Sequence, residues 1–284
     1  MTYSTIETER DGSVLLVRLN RPDRLNAYNL DMLDDLLRVY DEADADNDVR
    51  VIVVTGNGRA FCAGADLQNA GDTFARDPAD VAHRDTGGVL NLRTYELSKP
   101  VIAAINGPAV GVGATMTLPM DIRLAADTAK MGFVFARRGI VADGCASWFL
   151  PRVVGISRAL EWTETGRVFG AAEALEAGLV RSLHPADELL PAAMELAREI
   201  AENTSAVSVT LNRQLMWRML GADHPMAAHE VESRALGYVG NTADAREGVE
   251  SFLAKRPAEY PGRVPADLPD FYPWWPDRGF TPLP

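Results

Sequence analysis

Two apolar strands that each run into a loop of small residues place the strongest constraint on how this chain can fold. The first lies in VRVIVVTGNGRAFCAGADL at residues 49–67, and the second lies in KPVIAAINGPAVGVGATMTLPMDIRLAAD at residues 99–127. Glycine and alanine let another group approach the main chain, because no large side chain blocks it. Exposed backbone N–H groups in such loops bind anionic oxygens. Two loops of this kind can therefore direct two donors at one oxygen, as an oxyanion hole does.

Composition and charge exclude several classes of function. The chain has 284 residues, enough to bury a large core, and its formal net charge is −12. This acidic balance argues against a surface for nucleic acids or anionic membranes. No apolar run approaches the roughly 20 residues of a membrane span, and the first residues lack the pattern of a secretion signal. Because Cys62 and Cys145 are the only cysteines, we expect reduced thiols in a cytoplasmic protein rather than a disulfide scaffold.

Hydrophobic periodicity predicts an α/β chain whose second part is helical. Apolar or alternating runs predict strands at residues 14–20, 49–55, 100–105, 122–125 and 179–183. Amphipathic spacing predicts helices at residues 30–43, 90–98, 114–120, 146–154, 157–165, 171–177, 189–201, 206–221, 225–239 and 242–254. The polar stretch at residues 68–86 predicts a loop. Repeated units of strand, strand and helix are therefore followed by an end without strands.

The same pattern suggests three segments. We divide the chain into a core at residues 1–205, a helical region at residues 206–256 and a tail at residues 257–284. The tail is rich in proline and aromatic residues, and proline disfavours both helix and sheet interiors. We expect the tail to wrap the surface of the molecule or of a neighbouring subunit.

Six stretches of the chain together resemble one known family. In chain order they are LNRPDRLNA, GRAFCAGADL, INGPAVGVG, DIRLAAD, FARRGIVADGCASWFLPRVVG and AAEALEAGLV. They resemble the crotonase superfamily, also called the enoyl-CoA hydratase/isomerase family, and the resemblance covers about residues 5–260. It implies a crotonase-like spiral of ββα units with a C-terminal helical trimerisation region, in a homotrimer or a hexamer built from two trimers. It also implies a coenzyme A thioester substrate and an enolate intermediate, with coenzyme A as part of the substrate and no separate cofactor.

The resemblance also assigns roles around the two glycine loops. The family's oxyanion donors correspond to the backbone N–H groups of Ala65 and Val112, and Asp66 corresponds to a residue that orients the first loop. Arg24 and Lys255 match basic positions that can meet the phosphates of coenzyme A, Lys255 from an adjacent subunit. Their alternative roles are a surface arginine and a solvated helix end. The residues expected to contact coenzyme A are Arg24, Ala27, Ala63, Gly64, Asp66, Leu67 and Lys255.

The acid–base residues decide which reaction such a site performs. Hydratases of this family carry two glutamates, and the matching positions here hold Thr115 and Phe135. Neither side chain transfers protons near neutral pH. The remaining carboxylate is Asp143, in the segment IVADGCASW. This segment resembles a glutamate-containing segment of peroxisomal enoyl-CoA isomerases and the segment of the nucleophilic aspartate in a chlorobenzoyl-CoA dehalogenase.

Asp143 has two interpretations from the sequence. It is a catalytic group whose apolar neighbours raise its pKa, or it caps the helix that starts near residue 144. As a catalytic group it predicts isomerase-type proton transfer on an enoyl-CoA. The alternatives are enoyl-CoA hydration, a dehalogenase-like or hydrolase-like reaction on a CoA thioester, and a non-catalytic relative that binds coenzyme A or RNA.

Overall fold

The computed structural model describes residues 2–68, 70–75 and 83–282, without the side chain of Asp72. The loop predicted at residues 68–86 therefore lies partly outside the described residues. Nine strands occur within these ranges: β1 (Ile6–Asp11), β2 (Val14–Leu19), β3 (Val51–Gly56), β4 (Val101–Ile105), β5 (Ala109–Val110), β6 (Ile122–Ala126), β7 (Lys130–Gly132), β8 (Val168–Gly170) and β9 (Ser182–His184).

The strands form two sheets, and the chain alternates between them. The larger sheet has the order β1-β2-β3-β4-β6-β9, and only its first pair is antiparallel. The smaller sheet has the order β5-β7-β8. The chain passes from β4 in the larger sheet to β5 in the smaller one, and again from β6 to β7. This alternation winds the chain into the spiral of ββα units that the sequence predicts.

Ten helices complete the described fold. They are α1 (Leu30–Ala45), α2 (Thr86–Glu96), α3 (Val112–Thr115), α4 (Ala146–Val154), α5 (Ile156–Thr165), α6 (Ala171–Glu176), α7 (Leu189–Asn203), α8 (Ala206–Met219), α9 (Pro225–Val239) and α10 (Ala243–Ala254). In the residues described between 206 and 282, no strand occurs, so the predicted strand-free end is confirmed. None of the described helices is long and apolar enough to cross a membrane.

The core lies against the larger sheet. The side chains of β3 from Val51 to Val54 are all 0% exposed, as expected for a parallel strand that is covered on both faces. Helix α7 packs against β2, β3, β4 and β6. Helix α1 begins after Asn29, whose side-chain oxygen accepts the N–H of Met32 at 3.0 Å. These contacts hold rigid strands behind the two glycine loops.

Three elements lie elsewhere than the sequence predicts. Helix α2 begins at Thr86 rather than at residue 90, because Asp85 caps its first turn. Helix α3 ends at Thr115 rather than at residue 120, in line with the breaking effect of Pro119. Strand β9 begins only at Ser182, because the N–H groups of Leu179 and Val180 donate to the carbonyl oxygen of Ala174 in α6.

After α10 the tail packs against its own chain. Val264 is 1% exposed and belongs to a small apolar cluster with Val207 and Leu211 of α8 and Ala235 of α9. No regular secondary structure occurs in the tail as far as it is described, to residue 282. The tail was predicted to wrap the surface of the molecule or of a neighbouring subunit, and in the structure it packs on the surface of its own chain.

Candidate active site

The two glycine loops are joined edge to edge. The N–H of Cys62 donates to the carbonyl oxygen of Pro108, and the N–H of Val110 donates to that of Cys62, both at 3.0 Å. A Cβ at Gly113 would overlap the carbonyl oxygen of Cys62, and Gly64 has a φ of +108°. Glycine is therefore required at both positions, and it brings the two main chains into direct contact.

Each loop carries a backbone donor with no protein acceptor in the described part of the chain: the N–H groups of Ala65 and Val112. Val112 is the first residue of α3, where helical N–H groups have no partner within the helix. The loops touch just before these donors, since a Cβ at Gly111 would lie 3.9 Å from the Cα of Gly64. The two unpaired donors, Ala65 and Val112, are thus the residues that directly follow Gly64 and Gly111, where the loops meet.

An ion pair fixes the outer side of the first loop. A guanidinium nitrogen of Arg21 lies 2.8 Å from a carboxylate oxygen of Asp66, and both side chains are less than one-fifth exposed. Arg21 also donates to the carbonyl oxygen of Ala27. The N–H of Ala63 donates to Leu25 at 3.1 Å. The predicted coenzyme A residues Ala27, Ala63 and Asp66 therefore belong to one connected segment.

Asp143 is attached to the helix that follows the second loop. Its Oδ1 accepts the hydroxyl of Thr115 at 2.7 Å, and Thr115 is fully buried in α3. The interpretation of Asp143 as a helix cap is wrong, because α4 begins only at Ala146 and its N-cap, Cys145, has no side-chain cap bond. Gly144 and Cys145 adopt a left-handed backbone conformation, so Asp143 lies outside the helix. Its carboxylate is hydrogen-bonded to Thr115 instead.

The surroundings of Asp143 favour its protonated form. The side chain is half-buried. Burial, assisted by the nearby charge of Asp85, raises the pKa of Asp143 to about 7, although the hydrogen bond from Thr115 acts in the opposite direction. A carboxyl group with a pKa near the working pH can both take up and return a proton.

Sequence reasoning missed Asp85, which holds the segment of Asp143 in place. Its Oδ1 accepts the N–H of Gly87 at 3.0 Å. Its Oδ2 accepts the N–H of Gly88 at 2.7 Å and that of Gly144 at 2.8 Å. One carboxylate thus caps α2 and fixes the residue after Asp143. An aspartate followed by two glycines before an apolar helical pattern is the signal that could have revealed this cap.

Close packing around Asp143 explains why residues 87 and 144 are glycines. A Cβ at Gly87 would lie 3.3 Å from the carboxyl carbon of Asp143, and one at Gly144 would lie 2.8 Å from the Thr115 hydroxyl. Asn91, 1% exposed, donates to the carbonyl oxygens of Thr115 at 2.9 Å and Gly144 at 2.6 Å. Asn91 of α2 therefore joins this helix both to Thr115, which donates to Asp143, and to Gly144, which follows Asp143.

Tyr28 connects this end of α2 with the first glycine loop. Its N–H donates to the carbonyl oxygen of Gly64 at 2.8 Å, and its hydroxyl donates to that of Thr86 at 3.1 Å. Burial raises the pKa of Tyr28, and the charges of Asp85 and Asp143 act in the same direction. The charges of both carboxylates therefore act on Tyr28, which is hydrogen-bonded to the first glycine loop. The structure brings the first loop, the second loop and Asp143 together.

Phe135, which the resemblance aligns with the second hydratase glutamate, is part of an apolar cavity wall. Phe135 is 6% exposed and lines a cavity of about 430 Å³ together with Ile140, Ala142 and Leu150. Ala142 immediately precedes Asp143. The surroundings of the carboxylate on this side are therefore apolar.

The remaining predicted residues lie at the surface. Arg24, Leu67 and Lys255 are exposed, and no ion pair joins Arg24 or Lys255 to any residue that the structure describes. Lys255 follows α10 in a left-handed conformation. Cys62 is fully buried, and burial raises the pKa of its thiol to about 12, which leaves it protonated and unreactive.

Comparison with known proteins places this arrangement in a family. The sequence model for enoyl-CoA hydratase/isomerase matches residues 9–263. The chain therefore belongs to the enoyl-CoA hydratase/isomerase family, as its motifs predict.

The names of individual relatives differ in the activity that they give. Enoyl-CoA hydratase ACTT3 of Alternaria alternata is 46% identical over 249 residues, which are 87% of this chain and 82% of the relative. The 1,2-epoxyphenylacetyl-CoA isomerase of Escherichia coli is 34% identical and covers 89% of this chain and 97% of its own. The structure of a probable enoyl-CoA hydratase/isomerase from Mycobacterium abscessus has a TM-score of 0.85 at 33% identity, covering 90% of this chain and 98% of that one.

Proposed function

We propose that this protein is an acyl-CoA enzyme that moves a proton between two carbons of an enoyl-CoA, with Asp143 as the base. The thioester oxygen accepts hydrogen bonds from the N–H groups of Ala65 and Val112, which stabilise the negative charge of the enolate. Asp143 removes a proton from C2 of a 3-enoyl-CoA, and the electron pair of the C–H bond moves onto the thioester oxygen, which gives a dienolate. The same carboxyl group then returns the proton at C4. This protonation forms the C2=C3 bond as the C3=C4 bond and the enolate are lost, which gives the 2-enoyl-CoA.

The environment of the Asp143 carboxylate carries this proposal. One oxygen is held by Thr115. The other accepts no hydrogen bond from another residue of the described chain, so it is available to a substrate proton. Its pKa of about 7 suits a group that both accepts and donates in one turnover. Proton transfer of this kind moves no electrons to or from an external carrier, so it requires no cofactor besides the coenzyme A of the substrate.

Enoyl-CoA hydration is the second candidate, and the comparisons favour it. Relatives with up to 46% identity are named enoyl-CoA hydratases. Two carboxylates are present near the site, but Asp85 already accepts three backbone N–H groups. It is therefore poorly placed to activate a water molecule. With Thr115 and Phe135 at the two hydratase positions, we expect slow hydration.

Nucleophilic attack by Asp143 and a non-catalytic role both find less support. A dehalogenase-like or hydrolase-like reaction uses Asp143 only as an anion, either to attack the substrate or to activate water. Proton transfer between two carbons uses both the anionic and the protonated form in one turnover, and a pKa of about 7 suits that use better. A non-catalytic relative that binds coenzyme A or RNA would have no use for a carboxylate in a partly apolar site.

We also propose that the chain works as a homotrimer or hexamer in the cytoplasm. Several large apolar side chains are strongly exposed in the single chain, which marks surfaces for association. They include Val141 at 87%, Phe252 at 81% and Leu236 at 71%. Light scattering of the purified protein tests this assembly, and a monomer at micromolar concentration would contradict it.

Substitution of Asp143 by asparagine tests the assignment of the base. D143N keeps the shape of the side chain and an acceptor for Thr115, but it cannot take up the proton. We expect kcat for isomerisation of 3-enoyl-CoA to fall by about 10² or more with little change in KM. Asp127, an exposed aspartate, provides the control variant D127N, which should keep full activity. Full activity in D143N would show that another group moves the proton.

A further inference from the structure

The tail beyond residue 263 makes contacts that lie outside the family match. That match ends at residue 263, whereas the tail is described to residue 282. Its start is anchored inside the molecule, because the carbonyl oxygen of the buried Val264 accepts a hydrogen bond from the ammonium group of Lys99. Lys99 is 2% exposed and also donates to Asp46 at 3.0 Å and Val49 at 2.8 Å. The tail therefore leaves the core from a fixed point.

The middle of the tail is held at the C-terminal end of α2. The guanidinium carbon of Arg218, on α8, lies 4.1 Å from the ring centroid of Tyr95 and 3.9 Å from a ring centroid of Trp275. Tyr95 belongs to α2, and Trp275 belongs to the tail. One cation thus lies between two aromatic rings and joins α8, α2 and the tail.

The far end of the tail reaches the opposite end of α2. The guanidinium carbon of Arg84 lies 5.3 Å from the ring centroid of Phe280, within the range of a cation–π contact. Arg84 directly precedes Asp85, the residue that caps α2. The tail therefore touches both ends of the helix that packs against Asp143.

The spacing of these contacts indicates that the tail follows α2 along its length. From Tyr95 back to Arg84 the chain advances about 16 Å at ~1.5 Å per residue. From Trp275 to Phe280 an extended chain spans at most about 17 Å. The tail meets the C-terminal end of α2 first and its N-terminal end second, so it runs antiparallel to α2, and the two lengths match for a nearly extended tail. Arg278, between the two contacts, is close enough for its charge to act on Tyr95.

We propose that the tail is a strap that positions the N-terminal end of α2, with Arg84 and Phe280 as positioning residues for Asp143. The inference rests on the proposed function insofar as Asp143 is the base. The strap fixes the two ends of α2, Asp85 at the start of α2 holds Gly144, and Gly144 fixes the neighbouring Asp143. Phe280 affects the reaction only indirectly, through its contact with Arg84 and through the contacts that join Asp85 to Gly144 and Asp143.

Substitution of Phe280 by alanine tests the strap. F280A removes the ring from Arg84 and keeps the anchors at Val264 and Trp275. We expect kcat to fall about fivefold or more, with KM within about twofold, because a small displacement of a catalytic group slows the reaction more than it weakens binding. R84A should give a similar loss, and the double variant should lose no more than either single variant. F280Y keeps the ring and should restore kcat.

Hydrogen exchange provides a readout that needs no substrate. In F280A, amides in peptides that cover residues 83–96 and 140–147 should exchange about two- to fivefold faster than in the wild type, as expected for the loss of an exposed cation–π contact. Arg234 provides a matched control, because it makes the same kind of contact with Phe271 of the tail at 4.3 Å, but on α9. R234A should change neither the exchange of these peptides nor kcat.

Two results would overturn the strap. One is unchanged exchange and unchanged kcat in F280A, and the other is a double variant whose losses multiply, because Phe280 would then act independently of Arg84. Failure of the proposed function has a different signature, namely an active D143N variant, and the exchange experiment remains decisive in that case.

Discussion

The glycine loops and the acid–base segment belong to one candidate site, but they depend on the chain in different ways. In the proposed mechanism, the loops act through the main-chain N–H groups of Ala65 and Val112, and their neighbours Gly64 and Gly113 are fixed by close backbone approach. The acid–base segment acts through one side chain, Asp143, whose pKa depends on what surrounds it. The first part is common to many reactions of CoA thioesters, whereas the second determines which reaction occurs.

This difference explains why the sequence identifies the family more easily than it identifies the reaction. Small residues at fixed positions identify the loops in the sequence, and the family match follows. A change of a few side chains beside unchanged loops can redirect the proton. Relatives of this chain are accordingly named hydratases and, in one case, an isomerase of an epoxide. Substitutions in the loops and in the acid–base segment should therefore have different signatures.

Removal of a loop donor should have the largest effect on the reaction. Ala65→Pro deletes one N–H that stabilises the enolate, and we expect kcat to fall by ~10²–10³-fold. Ala65→Gly keeps the N–H and should retain kcat within a few-fold. Circular dichroism and thermal unfolding must show that both variants are folded. Equal activities in the two variants would remove the oxyanion role of this loop.

The pH dependence should report on the acid–base segment. The base must be ionised in the free enzyme, so kcat/KM should be constant above the pKa of Asp143 and fall tenfold per unit below about pH 7. Between the high-pH plateau and pH 5 the loss amounts to about 10²-fold. In Asp85→Asn the nearby negative charge is absent, so the pKa of Asp143 falls and the profile should move to lower pH. A profile that is flat between pH 5 and 8 would contradict Asp143 as the base.

Loss of the hydrogen bond between Thr115 and Asp143, which joins the second glycine loop to the acid–base segment, should have a smaller effect. Thr115→Val removes the donor to Asp143, and we expect kcat to fall about tenfold as the carboxylate loses its orientation. The profile of kcat/KM should also move to higher pH, because this bond lowers the pKa of Asp143. Thr117→Val is a matched control in the same stretch, since that hydroxyl only donates to Ala114. It should lower stability without moving the pH profile.

Much of the fold could be predicted from the sequence because its central elements have strong patterns. The buried runs that form β3 and β4 and the amphipathic spacing of α1, α4 and α9 indicate these elements within a few residues. Strand β1 was not predicted, because five of its six residues are exposed and its apolar alternation is absent. Strands β5, β7 and β8 have only two or three residues each, too few for a periodic signal.

The candidate site was predicted in part for a similar reason. The loops and Asp143 lie in motifs, whereas Asp85 belongs to the polar stretch at residues 68–86 and Gly87 follows it directly, and neither residue lies in a motif. Their role arises from tertiary packing, since Gly87 is small because the carboxylate of Asp143 lies against it. The contact of Phe280 with Arg84 joins positions that are far apart in the chain, so no local pattern can reveal it.

The path of the transferred proton tests the central claim most directly. A 3-enoyl-CoA with two deuterium atoms at C2 is converted in ordinary water, and the products are analysed by NMR and mass spectrometry. If Asp143 alone removes and returns the proton, the product is 2-enoyl-CoA with part of the deuterium at C4, and D143N does not form it. Unchanged 3-enoyl-CoA, together with rapid conversion of a 2-enoyl-CoA into 3-hydroxyacyl-CoA in a parallel assay, would contradict the account and identify the enzyme as a hydratase.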